Sequence, residues 1–574
     1  MKSKWFVICI SVLFFGTYFA ELNAQNQDTE GEWSDPIPFG IVPVAVANLP
    51  DGRLIAWSSQ FRDDFNETGD GMTFTQIFDP STNSTLQETV TDTNHDMFCP
   101  GINNLPDGRI LAAGGTSSER TSIYDPVTDK WSRAADMNIN RGYQGNVTLS
   151  DGSVFTLGGS WSEGVAINGG KDAELYSPQS GWVNLPNIQG EDLYTANDLG
   201  FEQQGLYRVD NHAWLWAAPD GRIFHAGPGE MMHWIEPDLA TGGSVTEAGL
   251  RGTDTYSMKG TTVMFDVGRI LKVGGAEGYG TEASAGIPAK DNSLIIDINN
   301  PNNVTVTPTA NTLSLARTMH NSTVLPNGQV LVTGGLSEAE VFTDAGARLE
   351  AELYDPVTNA WTTVAGMQVP RTYHSVAILM TDGRVFVGGG GLCNLTYGGE
   401  CVNHTDAEIY SPPYLFTDGG ALAARPSISA PDEADYNSTI TVTGSPGITE
   451  FSLIRFSSAT HSTNNEQRRI PVTFTGGGGN YNVSVPDRNL LPPGYYMLFA
   501  LDGDGVPSVA ETIMVGDALP LATNPNLVLH LEFEDAEGSS TLLDSSGNGN
   551  DGLLYDVDDN GATKVPSTDN IPAT

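Results

Sequence analysis

Pro106-Asp107-Gly108-Arg109-Ile110-Leu111-Ala112-Ala113-Gly114-Gly115 carries the pattern that sets the fold. A Pro-Asp-Gly turn reverses the chain, a short apolar run makes a strand, and a Gly-Gly pair ends it. Turns of the same kind recur at Pro50-Asp51-Gly52-Arg53, Asp151-Gly152-Ser153, Pro219-Asp220-Gly221-Arg222, Asp266-Val267-Gly268-Arg269, Pro326-Asn327-Gly328-Gln329 and Thr381-Asp382-Gly383-Arg384. Gly158-Gly159, Gly274-Gly275, Gly334-Gly335 and Gly389-Gly390 repeat the strand ending. Three units continue to a Tyr-x-Pro turn and a later Trp: Tyr124 to Trp131, Tyr176 to Trp182 and Tyr354 to Trp361.

Repeats spaced by roughly 45 to 70 residues with this signature are kelch-like, one four-stranded sheet per repeat. The expectation is an all-β chain with a seven-bladed kelch β-propeller over residues 34–420. In such a fold the strand before each turn lines the central channel. About eight residues before the turns stand Pro43, Cys99, Tyr143, His212, Met258, Met319 and His374, with Tyr373 and His320 beside them. A thiol, phenols and imidazoles at one level of a channel point to a redox metal, where packing alone needs none of them.

Composition bounds the rest. The chain has 574 residues, too many for one core. Its 27 basic against 70 acidic residues, net −43, repel phosphate backbones and exclude nucleic acid as a partner. Lys2 and Lys4, an apolar run from Trp5 to about Phe19, and Leu22-Asn23-Ala24 read as a signal peptide over 1–24, so the mature protein is expected to be secreted or periplasmic, with no membrane span. Cys9 leaves with it. Cys393 and Cys401 are close enough to close a short disulfide loop, and Cys99 is left over, either an apolar filler or chemically committed.

Residues 425–516 change character. Alternating runs such as Thr439-Ile440-Thr441-Val442 and Tyr481-Asn482-Val483-Ser484-Val485 suggest an immunoglobulin-like β-sandwich. The polar stretch Ala459 to Arg469 holds its only histidine, His461. A linker is expected at 517–526, and 527–574 resembles the opening of a laminin-G-like or concanavalin-like module, truncated because such domains need on the order of 150 residues.

From Ile37 to Val515 the chain resembles galactose oxidase and the wider copper-radical oxidases. The matching segments are His95-Asp96-Met97-Phe98-Cys99-Pro100-Gly101, Arg141-Gly142-Tyr143-Gln144, Gly158-Gly159-Ser160-Trp161-Ser162, Gly205-Leu206-Tyr207-Arg208, Asp210-Asn211-His212-Ala213-Trp214, Tyr373-His374-Ser375, Thr460-His461 and Gln467-Arg468-Arg469-Ile470-Pro471. The resemblance implies one Cu(II) ion held by Tyr143, Tyr373, His374 and His461. It implies a thioether between Cys99 and Tyr143 that makes the phenol a stable radical, and Trp161 shielding that radical. Tyr373 would be the general base, and His461 would arrive on a hairpin of the sandwich. Arg208, Phe65 and Phe342 would contact substrate.

The activity so implied is oxidation of a primary alcohol, the C6 hydroxyl of galactose or a galactoside, by dioxygen to aldehyde and hydrogen peroxide, by a monomer. Gly280, where the family offers a glutamine, and Met319, where it has an aromatic, argue instead for non-sugar alcohols or for aldehydes, as in glyoxal oxidase. A kelch propeller used only for binding would be expected to lack one of Cys99, Tyr143, Tyr373, His374 and His461, and all are present. His225, His233, His404 and His530 have no matching partner and read as structural or exposed; His95, His212 and His320 lie near the ring.

Overall fold

The computed structural model describes residues 26–65, 71–159, 170–193, 212–278, 286–393 and 402–516, and two short strands near the C-terminus. The signal segment and the 517–526 linker lie outside these residues. Among the described residues no helix is long and apolar enough to cross a membrane. The chain forms two compact units, Met1–Ala518 and Leu519–Thr574. Of the second, the described part is one antiparallel pair, Thr541–Leu542 with Gly552–Leu553, so the jelly-roll reading of the tail falls outside it.

The first unit is all β. The turn units each build one sheet in a meander, as in Gly101–Asn104, Ile110–Ala113, Thr121–Asp125 and Lys130–Arg133. Seven such sheets occur among the described residues, the arrangement of a β-propeller. The turn explains itself. Gly108 N–H donates to Leu105 O (2.9 Å), Leu105 N–H to Arg109 O (2.8 Å), and Arg109 N–H to the Asp107 carboxylate (3.1 Å). Gly108 takes φ +86°, the left-handed step that a type I turn with a bulge requires. The strand-ending glycines serve close approach. A Cβ on Gly334 would lie 2.2 Å from Arg371 O, the backbone of the next sheet.

Two long-range joins complete the unit. The seventh sheet (Val376–Leu379, Val385–Gly388, Asp406–Ser411) takes its outer strand from the other end of the chain, Glu32–Trp33, with Trp33 opposite Tyr410. The first sheet gains Ser458–Thr460 beside Ala45–Asn48. Beyond the seventh sheet, two sheets pack face to face, Thr439–Gly444 alternating exposed and buried as expected. Their core includes Val442, Phe451, Tyr481, Leu498 and Val515.

Between its strands Ser458–Thr460 and Arg469–Val472 this second region sends residues 461–468 deep among the propeller sheets. Asn465 Nδ2 donates to Asn146 O and Ala213 O (both 3.0 Å). The Glu466 carboxylate accepts from Asn103 Nδ2 (3.0 Å), Asn104 N–H (2.9 Å) and Thr148 N–H (3.1 Å). Gln467 bonds Val324 N–H and Ser322 O, and Arg468 donates to Ala217 O (3.0 Å). The polar sequence of this stretch is therefore a buried plug. Its side chains satisfy the inner-edge backbone groups of several sheets at once.

Candidate metal centre

Five of the residues at the channel-lining register share a backbone state. Cys99, Tyr143, Lys259, Met319 and His374 have φ of +62°, +58°, +55°, +60° and +70°. A left-handed conformation costs an L residue about 1–2 kcal/mol, so its recurrence is imposed by the fold. Each stands nine positions ahead of its turn glycine: Gly108, Gly152, Gly268, Gly328 and Gly383. This corrects the expected ring. The Asp266-Val267-Gly268-Arg269 turn places Val267 where other units have Asp, so counting from Asp266 selects Met258, whereas the structure sets Lys259 at that register. Counting back from the glycine finds it in the sequence. The backbone bonding agrees: Tyr143 N–H donates to Cys99 O and Met319 N–H to Lys259 O, both 2.9 Å.

Buried ion pairs hold the entry to three of these strands. Arg141–Glu174 (2.9 Å), Arg317–Glu352 (2.6 Å) and Arg371–Glu408 (2.9 Å) sit just before Tyr143, Met319 and Tyr373-His374. Each arginine also donates to backbone carbonyls of the following turn, as Arg371 does to Gly389 O (3.2 Å). Paired and bonded in this way, a buried charge fixes the geometry of the loop it terminates.

The side chains converge. His461, at the head of the plug, has its ring centroid 4.7 Å from His374, 4.9 Å from Tyr143 and 5.7 Å from Tyr373. Its Nε2 is 3.2 Å from Cys99 Sγ. Tyr373 and His374 have centroids 3.7 Å apart. The donor atoms of Cys99, His374 and His461 lie within 4.8 Å of one another, all buried. His212 stacks on His461 at 5.3 Å and meets Tyr143 edge-on at 5.0 Å. Phe98, Phe65 and Phe342 form one wall: Phe65 is 5.0 Å from Phe98 and 5.9 Å from Phe342, and Phe342 is 5.5 Å from Tyr373.

Hydrogen bonding leaves Nε2 of each imidazole as an acceptor. His374 Nδ1–H donates to Gly391 O (2.6 Å), which leaves the Nε2 lone pair bare, and that buried atom has no protein partner. Thr460 Oγ1 donates to Val44 O (2.9 Å) and so accepts from His461 Nδ1–H (2.6 Å), again freeing Nε2 as an acceptor. Burial, opposed in part by the bond to Gly391, pushes His374 down to about 3; burial, then the neighbouring His374 and Lys259, holds His461 well below the usual range. Both rings are neutral at pH 7, the form that binds a metal. Nitrogen and phenol donors in this set suit a copper ion.

Trp161, Arg208, Gly280 and Cys401 lie outside the described residues. Cys393 is buried and disulfide-bonded. Of the histidines read as structural or exposed, His225 and His233 approach each other at 3.2 Å and His404 meets Asp344 at 3.0 Å, while His530 lies outside the described residues. His95 bonds Ser122 and Gly114 O, and His320 bonds Thr261, so both serve the scaffold.

Comparison with known proteins agrees with this architecture. Residues 425–515 match the galactose oxidase-like early set domain, and 259–414 match the glyoxal oxidase N-terminus. A galactose oxidase of Gibberella zeae is 42% identical over 519 residues, covering 88% of this chain and 73% of the relative. An aldehyde oxidase of Vitis pseudoreticulata is 27% identical over 462 residues, covering 73% of this chain and 82% of that one. A fungal alcohol oxidase of the AA5 family, solved in complex with copper, superposes with TM-score 0.76 and 37% identity, covering 85% of this chain and all of that one. Fold and relatives define the class, oxidoreductases of the copper-radical type. The chain belongs to the galactose oxidase family.

Proposed function

We propose that the protein oxidises a primary alcohol with dioxygen, giving an aldehyde and hydrogen peroxide, with galactose C6–OH as the substrate. The observation that carries this is the convergence of Cys99, Tyr143, Tyr373, His374 and His461 from separate parts of the chain into one buried cluster. In this reading Tyr143, Tyr373, His374 and His461 hold one copper ion, and Cys99 is joined to the Tyr143 ring by a thioether. The backbone bond between Tyr143 and Cys99 supports the pairing, since it keeps their side chains on neighbouring strands. Bound copper supplies one of the two one-electron acceptors that a two-electron oxidation needs.

The residues divide the rest of the work. Tyr373 takes the hydroxyl proton of the alcohol, and the Tyr143 radical takes a hydrogen atom from its carbon. Overall RCH2OH and O2 become RCHO and H2O2, so atoms and electrons balance. The wall of Phe65, Phe98 and Phe342 receives the apolar face of the substrate and keeps water from the radical. Trp161 and Arg208 are assigned to radical shielding and sugar contact by resemblance. Secretion, expected from the N-terminal segment, suits an enzyme that releases peroxide.

A second reading, oxidation of aldehydes or non-sugar alcohols, is favoured by Gly280 and Met319 and by the glyoxal oxidase match. Copper-loaded protein offered galactose, glyoxal and benzyl alcohol, with peroxide as readout, separates the two. No peroxide from any of them, or peroxide that survives His461→Ala, would refute the copper-radical reading.

A further inference from the structure

Lys259 stands at the level of the ring residues, and it is 3% exposed. Its Nζ lies 5.5 Å from the centroid of the Tyr143 ring and 5.2 Å from that of Tyr373, within cation–π range of both. The left-handed backbone at Lys259 and its bond to Met319 set this direction in the way the Cys99–Tyr143 bond sets theirs. The charge of Lys259 also acts, behind burial, to keep His212 unprotonated and, behind burial and the neighbouring His374, to keep His461 so.

We propose that Lys259 is a positioning residue for the redox centre: its ammonium, set between the two phenols, raises the reduction potential of the Tyr143 radical. This rests on the copper-radical reading above. Oxidation of the Tyr143 phenolate to the neutral phenoxyl removes one electron, which an inorganic one-electron oxidant accepts, and transfers no atom. A nearby cation favours the anionic phenolate over the neutral radical, because only the former has a charge to attract. Lys259 therefore makes the radical harder to form and, once formed, a stronger oxidant toward the alcohol.

The test is a titration of copper-loaded full-length protein with ferricyanide and ferrocyanide, following the visible absorption of the radical. In Lys259→Met the oxidant ratio at half-conversion is expected to fall by at least tenfold, which is about 59 mV for a one-electron couple. Lys259→Arg, which keeps the charge, is expected to stay within about threefold of wild type. Lys259→Gln replaces the Met variant should that one not fold, folding being judged by circular dichroism and copper uptake. A radical whose potential is the same in wild type and the neutral variant overturns the inference, as does an Arg variant that shifts as far as the Met variant. Copper-loaded wild type that forms no radical at all refutes the function itself, so the two failures are told apart.

Discussion

Replacing Glu466 by Ala removes the acceptor of three buried donors at once: Asn103 Nδ2, Asn104 N–H and Thr148 N–H, which belong to two adjacent sheets. Each donor left unsatisfied costs about 1–3 kcal/mol, so the sum is about 3–6 kcal/mol once local relaxation is allowed for. The buried Arg455 and Arg468 also feel the carboxylate and lose part of their compensation. Domains are stable by about 5–15 kcal/mol, so the loss is a large part of the whole. The consequence for the site is more specific. Glu466 anchors the plug that carries His461, so copper(II) affinity is expected to fall at least about tenfold, roughly the 1.4 kcal/mol that slackening of one ligand represents. Guanidinium unfolding of the metal-free protein and a copper titration followed by tryptophan fluorescence read the two effects. Glu466→Gln keeps one carbonyl acceptor and should lose about half as much stability. An Ala variant within about 1 kcal/mol of wild type, with unaltered copper affinity, would refute the account of the plug.

Three other outcomes follow from the geometry. Arg371→Met leaves Glu408 buried without its partner, which should destabilise the protein by about 3–5 kcal/mol in denaturant unfolding and disorder the Tyr373-His374 turn. Burial holds His95 and His233 down to about 4 and His225 and His320 well below the usual range. With folded values below the unfolded ~6.5, their stability contribution is complete above that pH and is lost as pH falls toward 4, at about 1.4 kcal/mol per unit for each histidine; calorimetry of metal-free protein should show melting fall over that window. Cys99→Ser should fold and bind copper, yet lack both the radical absorption and the two-hydrogen mass deficit that a thioether leaves in the intact-mass spectrum of wild type.

The local grammar of this fold was written in short stretches. A Pro-Asp-Gly turn needs only its own residues to reverse the chain, so the units were legible at Pro106-Asp107-Gly108-Arg109 and its repeats without any partner. The channel-facing positions were legible for the same reason, since a fixed distance from a turn is a local quantity. It failed only where the turn itself varied: at Asp266-Val267-Gly268-Arg269 the count slipped by one and selected Met258 in place of Lys259. What no local rule contained was the long-range assembly. Trp33 pairs with Tyr410 across almost the whole propeller, and Ser458–Thr460 joins the first sheet. These joins exist because unpaired strand edges and buried backbone groups must be satisfied by whatever segment can reach them. The sequence alone determined the sheets and the inventory of thiol, phenol and imidazole. Only the tertiary structure decided that the plug carries His461 to Tyr373 and His374, and that the buried Lys259 comes within cation–π range of both Tyr143 and Tyr373, because contacts between residues hundreds of positions apart depend on the closure of the whole ring of sheets.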